Sequence, residues 1–353
     1  MKVDSNADCH WIPAEPLDPP MRAPVPQILP NLRWKTVHSI RRPQTPREIG
    51  PLISPDLERI ARLAPMAPER YFSRVFMHEL ISRWTETAPY WEKHRAVIRE
   101  MFAPVTQALA QNAEVARGRT ILDVATGPGE PALALADLVG SGGKVLGIDV
   151  VSEMVQAARR EADRRHLPNA HFAAAAADAL PADANTFDAA VSRFGVMFFP
   201  SPVHAIREML RVLKPKGRMA LAVWSFADKN PFHCIPARAI ERYVKPAPPA
   251  PDAPDAFRFA QPGKLRAILL EAGAAGPSEL PLQFFIRARL SLEEFWTLRS
   301  EMSERLRNSL AKLTKEQMAS AKQATIEGLR PYYANGGISI PAEVLIVSGS
   351  KPS

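Results

Sequence analysis

From residue 123 the chain reads Asp123-Val-Ala125-Thr-Gly127-Pro-Gly129-Glu130-Pro-Ala132, and Asp149 lies 20 residues beyond Gly129. Gly127, Gly129 and Ala132 satisfy the spacing G-x-G-x-x-G/A, in which a tight backbone turn approaches a nucleotide closely. Charge decides which ligand suits such a loop. A pyrophosphate rests on free amides at a helix N-terminus, where the positive end of the helix holds it. Here Glu130 stands at that point and Asp123 sits where the preceding strand meets the ligand, so carboxylates would face phosphates. A ligand bearing an ammonium and a sulfonium, and no phosphate, fits better.

Other reactive residue types are scattered. Cys9 and Cys234 cannot build a disulfide framework, and the eight histidines never pair at metal-ligand spacing, so no metal is expected. No G-x-x-x-x-G-K phosphate loop is present. His233, in Asn230-Pro-Phe-His beyond a strand, is the side chain best placed to take a proton at the mouth of a parallel sheet. A packed or solvated loop histidine is the plain alternative.

These residues need a scaffold, and the pattern from residue 119 to 226 supplies one. Thr120–Ala125, Lys144–Asp149, Ala170–Ala174, Phe187–Ser192 and Arg218–Phe226 read as strands, separated by helical stretches over Glu130–Val139, Ser152–His166 and from Pro202. Ser201 is the expected N-cap of the last of these helices, with Pro202 in its first turn; Lys214-Pro-Lys-Gly217 is expected to stop it. Strands alternating with helices mean parallel βαβ units wound on both faces of a sheet. After Phe226 the alternation lapses into a proline-rich loop. A helix over Lys264–Ala272 stopped by Gly273, a strand near Glu279–Ile286, a helical stretch over Leu292–Arg330 and a strand over Ala342–Ser348 follow.

Composition sets the wider frame. Thirteen of the 35 prolines fall before residue 70, which predicts an extended arm over residues 1–55. Residues 56–118 read as a helical cap rich in aromatic side chains, 119–226 as the core, and 227–353 as a loop and helical cap with late strands. Net charge is +8, yet the excess is spread along the chain, and the lopsided segment Leu32–Arg47 lies within the arm, so nucleic acid is not indicated. No apolar run approaches the ~18 residues of a membrane span, and no secretory signal opens the chain. A soluble cytoplasmic protein is the expectation; oligomeric state has no signal.

The Asp-x-x-x-Gly-x-Gly-Glu loop resembles motif I of class I S-adenosylmethionine (SAM)-dependent methyltransferases. Gly127-Pro-Gly-Glu-Pro-Ala-Leu, Val191-Ser-Arg-Phe-Gly-Val-Met-Phe-Phe-Pro and Arg211-Val-Leu-Lys-Pro-Lys-Gly resemble, in order and spacing, the branch containing the ubiquinone/menaquinone-biosynthesis C-methyltransferases and many small-molecule methyltransferases. The resemblance runs from about Trp84 onward. It implies a Rossmann-like, doubly wound α/β fold: a mostly parallel seven-stranded sheet with an antiparallel last strand, N-terminal helices, and a helical insertion before the last strand. It implies SAM as the cofactor and C- or O-methylation of a small aromatic or apolar acceptor by in-line displacement.

Residue by residue, the resemblance places Gly127 and Gly129 at the methionyl part of SAM, Asp123 and Ala125 among the cofactor-binding residues, and Asp149 on the ribose hydroxyls. Val150 and Met154 fall at the adenine face, Asp178 and Ala179 at the adenine edge, and Arg193 and Phe194 on the methionine side. Plain structural roles stand beside these: a helix cap for Asp149, core packing for Met154, a loop aspartate for Asp178, an ion-pair partner for Arg193. Tyr90, Trp91, Phe194, Trp224 and Phe232 would form an aromatic acceptor wall, or simply core. Neither the Asn/Asp-Pro-Pro-Tyr/Phe box of adenine amino-group methyltransferases nor a Pro-Cys nucleophile of the cytosine type is present. A SAM-binding regulatory protein without turnover and an NAD(P)-dependent oxidoreductase are the competing readings.

Overall fold

The computed structural model describes residues 74–245, 250 and 252–353. The expected arm and the first part of the helical cap lie outside the described residues. Three helices precede the sheet: α1 (Arg74–Lys93), α2 (Arg95–Met101) and α3 (Ala103–Asn112). α3 turns Val105, Ala108 and Leu109 inward against the sheet.

Five strands then run parallel: β1 (Thr120–Val124), β2 (Lys144–Asp149), β3 (Ala170–Ala174), β4 (Phe187–Arg193) and β5 (Leu213–Trp224). Their residues are mostly buried, with little alternation, because helices cover both faces, as a parallel sheet requires. The connecting helices are α4 (Ala132–Val139), α5 (Ser152–Arg164) and α6 (Pro202–Val212). Beyond β5 come α7 (Pro231–Glu241), α8 (Lys264–Ala272), β6 (Ala275–Ala288), α9 (Leu292–Met302), α10 (Glu304–Leu310) and α11 (Lys315–Leu329). A short β7 (Tyr333–Ala334) pairs with the long β8 (Gly337–Ser350).

The sheet order is β3-β2-β1-β4-β5-β8-β6, and β8 is antiparallel to both neighbours. This is the Rossmann-like, mostly parallel sheet with an antiparallel last strand and helices inserted before it. The order reverses between β1 and β4, which opens a crevice at the carboxyl ends of those strands. Among the described residues no helix is long and apolar enough to cross a membrane.

Several local expectations need correction. Ser201 occupies the N-cap position of α6, but its hydroxyl pairs with His204 Nδ1 at 2.5 Å instead of capping a backbone amide. Lys214–Gly217 lies inside β5 as an irregular bulge: Phe187 faces Leu213 while Ala189 already faces Arg218. β5 ends at Trp224, leaving Phe226 42% exposed. His233 sits in the first turn of α7, not in a loop. The helical stretch after Leu292 is three helices; Ser291 with Glu294 and Thr314 with Gln317 form capping boxes that start two of them.

Candidate active site

The carboxyl ends of β1, β2, β4 and β5 open into a cavity of about 840 Å³, the size of a site for a small ligand pair. Its β1–β2 side is built by the loop after β1. Asp149 Oδ2 accepts a 2.9 Å hydrogen bond from the Gly127 amide, and Oδ1 accepts a 3.0 Å bond from the Val151 amide. The carboxylate therefore ties the loop to the end of β2 and steadies the entry to α5. Each oxygen still has a lone pair to spare. Burial pushes the Asp149 carboxyl up to about 6, against the pull of the Val151, Gly127 and Val150 amides.

Asp123 plays a different part from the one expected. It is fully buried beneath the loop, not on the cavity wall, and Oδ2 accepts a 3.0 Å bond from the Ala132 amide at the start of α4. It satisfies one of the free donors of that helix. Burial raises it to about 7; the nearby Thr126 hydroxyl, the Arg193 charge and the Ala132 amide oppose the rise. Glu130, also buried, leans on Arg165 at 3.0 Å through Oε1, while Oε2 has no partner. Burial raises its pKa as well, against the charge of Arg193.

Arg193 is buried between these acids. Its guanidinium donates to Thr106 Oγ1 at 2.8 Å and to the Glu130 carbonyl at 3.2 Å, and stands over the Phe102 ring. It is part of the cavity wall and feels the charges of Glu130 and Asp123, but its hydrogen bonds go to a hydroxyl and a carbonyl, not to a carboxylate.

Ala125, Gly127, Asp149, Val150, Met154, Asp178 and Arg193 all reach the wall; Gly129 and Ala179 do not. Gly127 has φ +56°, and a Cβ there would meet nothing within 4 Å, so its open side is a cradle for a ligand. Gly129, at φ +110°, has no such freedom: a Cβ would sit 2.7 Å from Leu133 Cδ1. Its role is packing of the loop on α4. Met154 packs with Ala88 and Val151, which brings α1 down over this side, with Trp84 and Trp91 beside them.

The opposite side is aromatic. Phe194 and Trp224 stack at 4.6 Å with planes 1° apart, and Trp224 continues to Phe232 at 6.2 Å. His233 meets Trp224 edge-on at 4.5 Å. Ala125 (φ +60°) and Phe194 (φ +64°) hold left-handed backbone at the ends of neighbouring strands, a conformation non-glycine residues adopt at a cost and mainly at functional sites. Tyr90 is corrected: it is not on the wall, and its ring instead lies under the Arg307 guanidinium at 5.2 Å.

Sequence reading missed Trp84, Phe198 and Arg299, which also line the cavity. Trp84 meets Phe198 edge-on at 5.1 Å. Arg299 had a legible signal: it occupies i+4 between Phe295 and Met302 on the apolar face of a helix, where an arginine is out of place. Among the described residues no group of three or more His, Cys, Asp and Glu side chains is placed to hold a metal.

Comparison with known proteins bears on the same segment. Residues 121–217, which carry the loop, Asp149 and Arg193, match the family model described as a methyltransferase domain. This segment is similar to a methyltransferase domain. Over 112 residues it is 39% identical to the ubiquinone/menaquinone biosynthesis C-methyltransferase UbiE of Azotobacter vinelandii, a match covering 31% of this chain and 44% of that protein. Over 121 residues it is 33% identical to the aklanonic acid methyltransferase DauC of Streptomyces sp. (strain C5), covering 34% and 55%. The chain spans about half the length of the curated relatives it matches. The solved structure of YcgJ from Bacillus subtilis is similar over 70% of this chain and 98% of its own, at 19% identity and a TM-score of 0.46.

The matched segment suits SAM on its own chemistry. The loop offers the open cradle at Gly127, the carboxylate of Asp149 and the unpartnered Oε2 of Glu130. The ribose hydroxyls of SAM would donate to this acid-rich rim and its ammonium and sulfonium would meet opposite charge there, whereas a pyrophosphate would meet it with like charge.

Proposed function

We propose that the protein is a SAM-dependent methyltransferase that methylates carbon or oxygen of a small aromatic or apolar acceptor. One observation carries the reading: a single cavity joins the acid-rimmed glycine loop at β1–β2 to the aromatic wall at β4–β5. The names of the relatives, for ubiquinone/menaquinone biosynthesis and for aklanonic acid, support a small-molecule acceptor. The cytoplasm is the proposed setting.

Bound SAM would supply an electrophilic methyl group on a sulfur that leaves without help from an acid. The work left to this chain is holding, aligning and drying. Asp149 would take the ribose hydroxyls on its spare lone pairs, with Val150 and Met154 against the adenine and Asp178 at its edge. Gly127, Ala125 and Arg193 would border the methionyl part. β2 and β5 are separated by β1 and β4, three strand spacings or roughly 14 Å. That span runs from the sugar end of the cofactor to the Phe194–Trp224–Phe232 wall, where the acceptor ring would lie. α1, through Ala88, Trp84 and Trp91, would keep water from the cofactor side.

His233 is a poor proton acceptor for this reaction. Burial, then the Arg299 charge, hold its pKa well below the ordinary 6.5. An acceptor that ionises by itself needs only positioning. The reading is tested by calorimetric titration of SAM and NADH into the purified chain, followed by turnover with a panel of phenols and quinols. Saturable SAM binding, none for NADH, and methylation of at least one acceptor are expected. NADH binding in place of SAM would refute it.

A further inference from the structure

Arg299 is a cation without an anion. It projects from α9 into the aromatic end of the cavity, only 6% exposed, and no acidic side chain pairs with it among the described residues. Its Nε finds no acceptor, and the side-chain bond it makes is from a terminal nitrogen to His233 Nδ1 at 3.2 Å. Its Cζ stands 4.3 Å from the centroid of the Phe232 ring. Other arginines of the same wall are neutralised: Arg83 by Glu304, Arg305 by Asp255, and Arg193 by its place between Glu130 and Asp123.

A buried charge is retained only where something compensates it. The Phe232 face returns part of the cost, and His233 orients the guanidinium by accepting from it. Neither brings negative charge. Burial lowers Arg299 only to about 10, so it stays protonated at neutral pH and the deficit remains. The planar guanidinium fork matches the two oxygens of a carboxylate, and the aromatic rings beside it suit the apolar body of an aromatic acid.

We propose that Arg299 is the docking point for a carboxylate on an aromatic acceptor, held with its ring against Phe232 and Trp224 and with His233 as the positioning residue. The cation–ring–ring sequence Arg299, Phe232, Trp224 sets the order in which an aromatic acid would lie along the wall. Calling this ligand the acceptor rests on the methyltransferase reading; the preference for an aromatic acid does not.

The experiment titrates 2-naphthoate and its neutral isostere 2-naphthamide into the full chain at pH 7.5, with SAM titrated into the same preparations. Wild type should bind the naphthoate at least about tenfold more tightly than the amide, the discrimination expected of a hydrogen-bonded charge. Arg299→Gln should abolish that preference, and Arg299→Lys should keep part of it; SAM affinity should stay within about twofold in all three. Equal affinity for acid and amide in wild type, no saturable naphthoate binding, or a preference that survives Arg299→Gln would each overturn the proposal. Arg299→Gln that loses SAM as well would be judged on wild type against Arg299→Lys, where a shared preference sustains the proposal and its absence in wild type refutes it. Naphthoate binding without SAM binding would leave the anion site standing and remove the methyltransferase reading.

Discussion

The Asp149 carboxylate and the Gly127 amide are joined at 2.9 Å, so the side chain that would hold the ribose also fixes the loop that would cradle the methionyl part. One residue sets the spacing between two parts of the ligand. Asp149→Ala should therefore weaken SAM binding by roughly 1.5–3 kcal/mol, the usual value of hydrogen bonds to a charged group. Calorimetry decides: unchanged affinity in a folded variant removes Asp149 from the cofactor site.

The same carboxyl, raised to about 6, predicts a pH dependence. Its ionised form accepts hydroxyl hydrogen bonds, so SAM affinity should be flat above about pH 7 and fall as pH drops through 6, by up to about tenfold per unit. Asp123 titrates higher, at about 7, which makes Asp149→Asn the necessary control. That variant should bind weakly with little pH dependence below 6. A wild-type profile that is flat from pH 5 to 8 contradicts the assignment.

Two neighbouring glycines should separate binding from folding. Gly127→Ala places its methyl in open space and strains only a left-handed φ, which costs about 1 kcal/mol. It should fold and lose SAM affinity. Gly129→Ala meets Leu133 at φ +110° and should lower the melting temperature first. Equal melting temperatures for the two variants would show that the loop is not packed as described.

Asp123 bears on stability rather than on binding. Its folded-state pKa, about 7, lies above its unfolded value of 3.8, so the unfolded chain releases the proton first. Stability is fully present below pH 3.8 and is lost as pH rises to about 7, on the order of a few kcal/mol. Asp123→Asn keeps an acceptor for the Ala132 amide and removes the titration. Urea unfolding at pH 5 and 7.5 should show a smaller loss in the variant than in wild type; identical losses would mean the buried acid stays neutral or finds a partner.

His233 should be silent where histidines usually titrate. Its ring resonances, followed by NMR, should show no midpoint between pH 6 and 8, because burial and then Arg299 hold it neutral. A midpoint near 6.5 would restore it as a general base.

The core was legible because its strands are short apolar runs with punctuation between them. Lys144–Asp149 and Ala170–Ala174 form as read, and Gly273 ends α8 with φ +96°. The stretch after Phe226 reads as a lapse into a proline-rich loop, yet a helix comes first: Pro231 stands in the first turn of α7, where its missing amide costs nothing, and Pro236 is held by packing, buried with Phe232, Cys234 and Ile240. Pro281 sits in β6, the edge strand, and Pro341 lies beyond the last β5 pairing of β8, at Val344. The position of Arg299 among apolar helix residues is legible in the sequence, but its lack of an acidic partner is a property of three dimensions.

Glu343 of β8 accepts from Ser225 Oγ at 2.7 Å, Lys229 Nζ at 2.6 Å and Gln283 Nε2 at 3.0 Å, and its own amide donates to Asn230 Oδ1. These bonds fix the turn from which α7 presents Phe232 and His233. During synthesis the glycine loop and β1–β4 emerge from the ribosome some 150 residues before Glu343 does. The two ends of the cavity are thus expected to be assembled at different times, the aromatic end last, when β8 slips between β5 and β6. Until that moment the apolar wall of the cavity is an open edge, and a nascent chain stalled before residue 343 would be the form most in need of a chaperone.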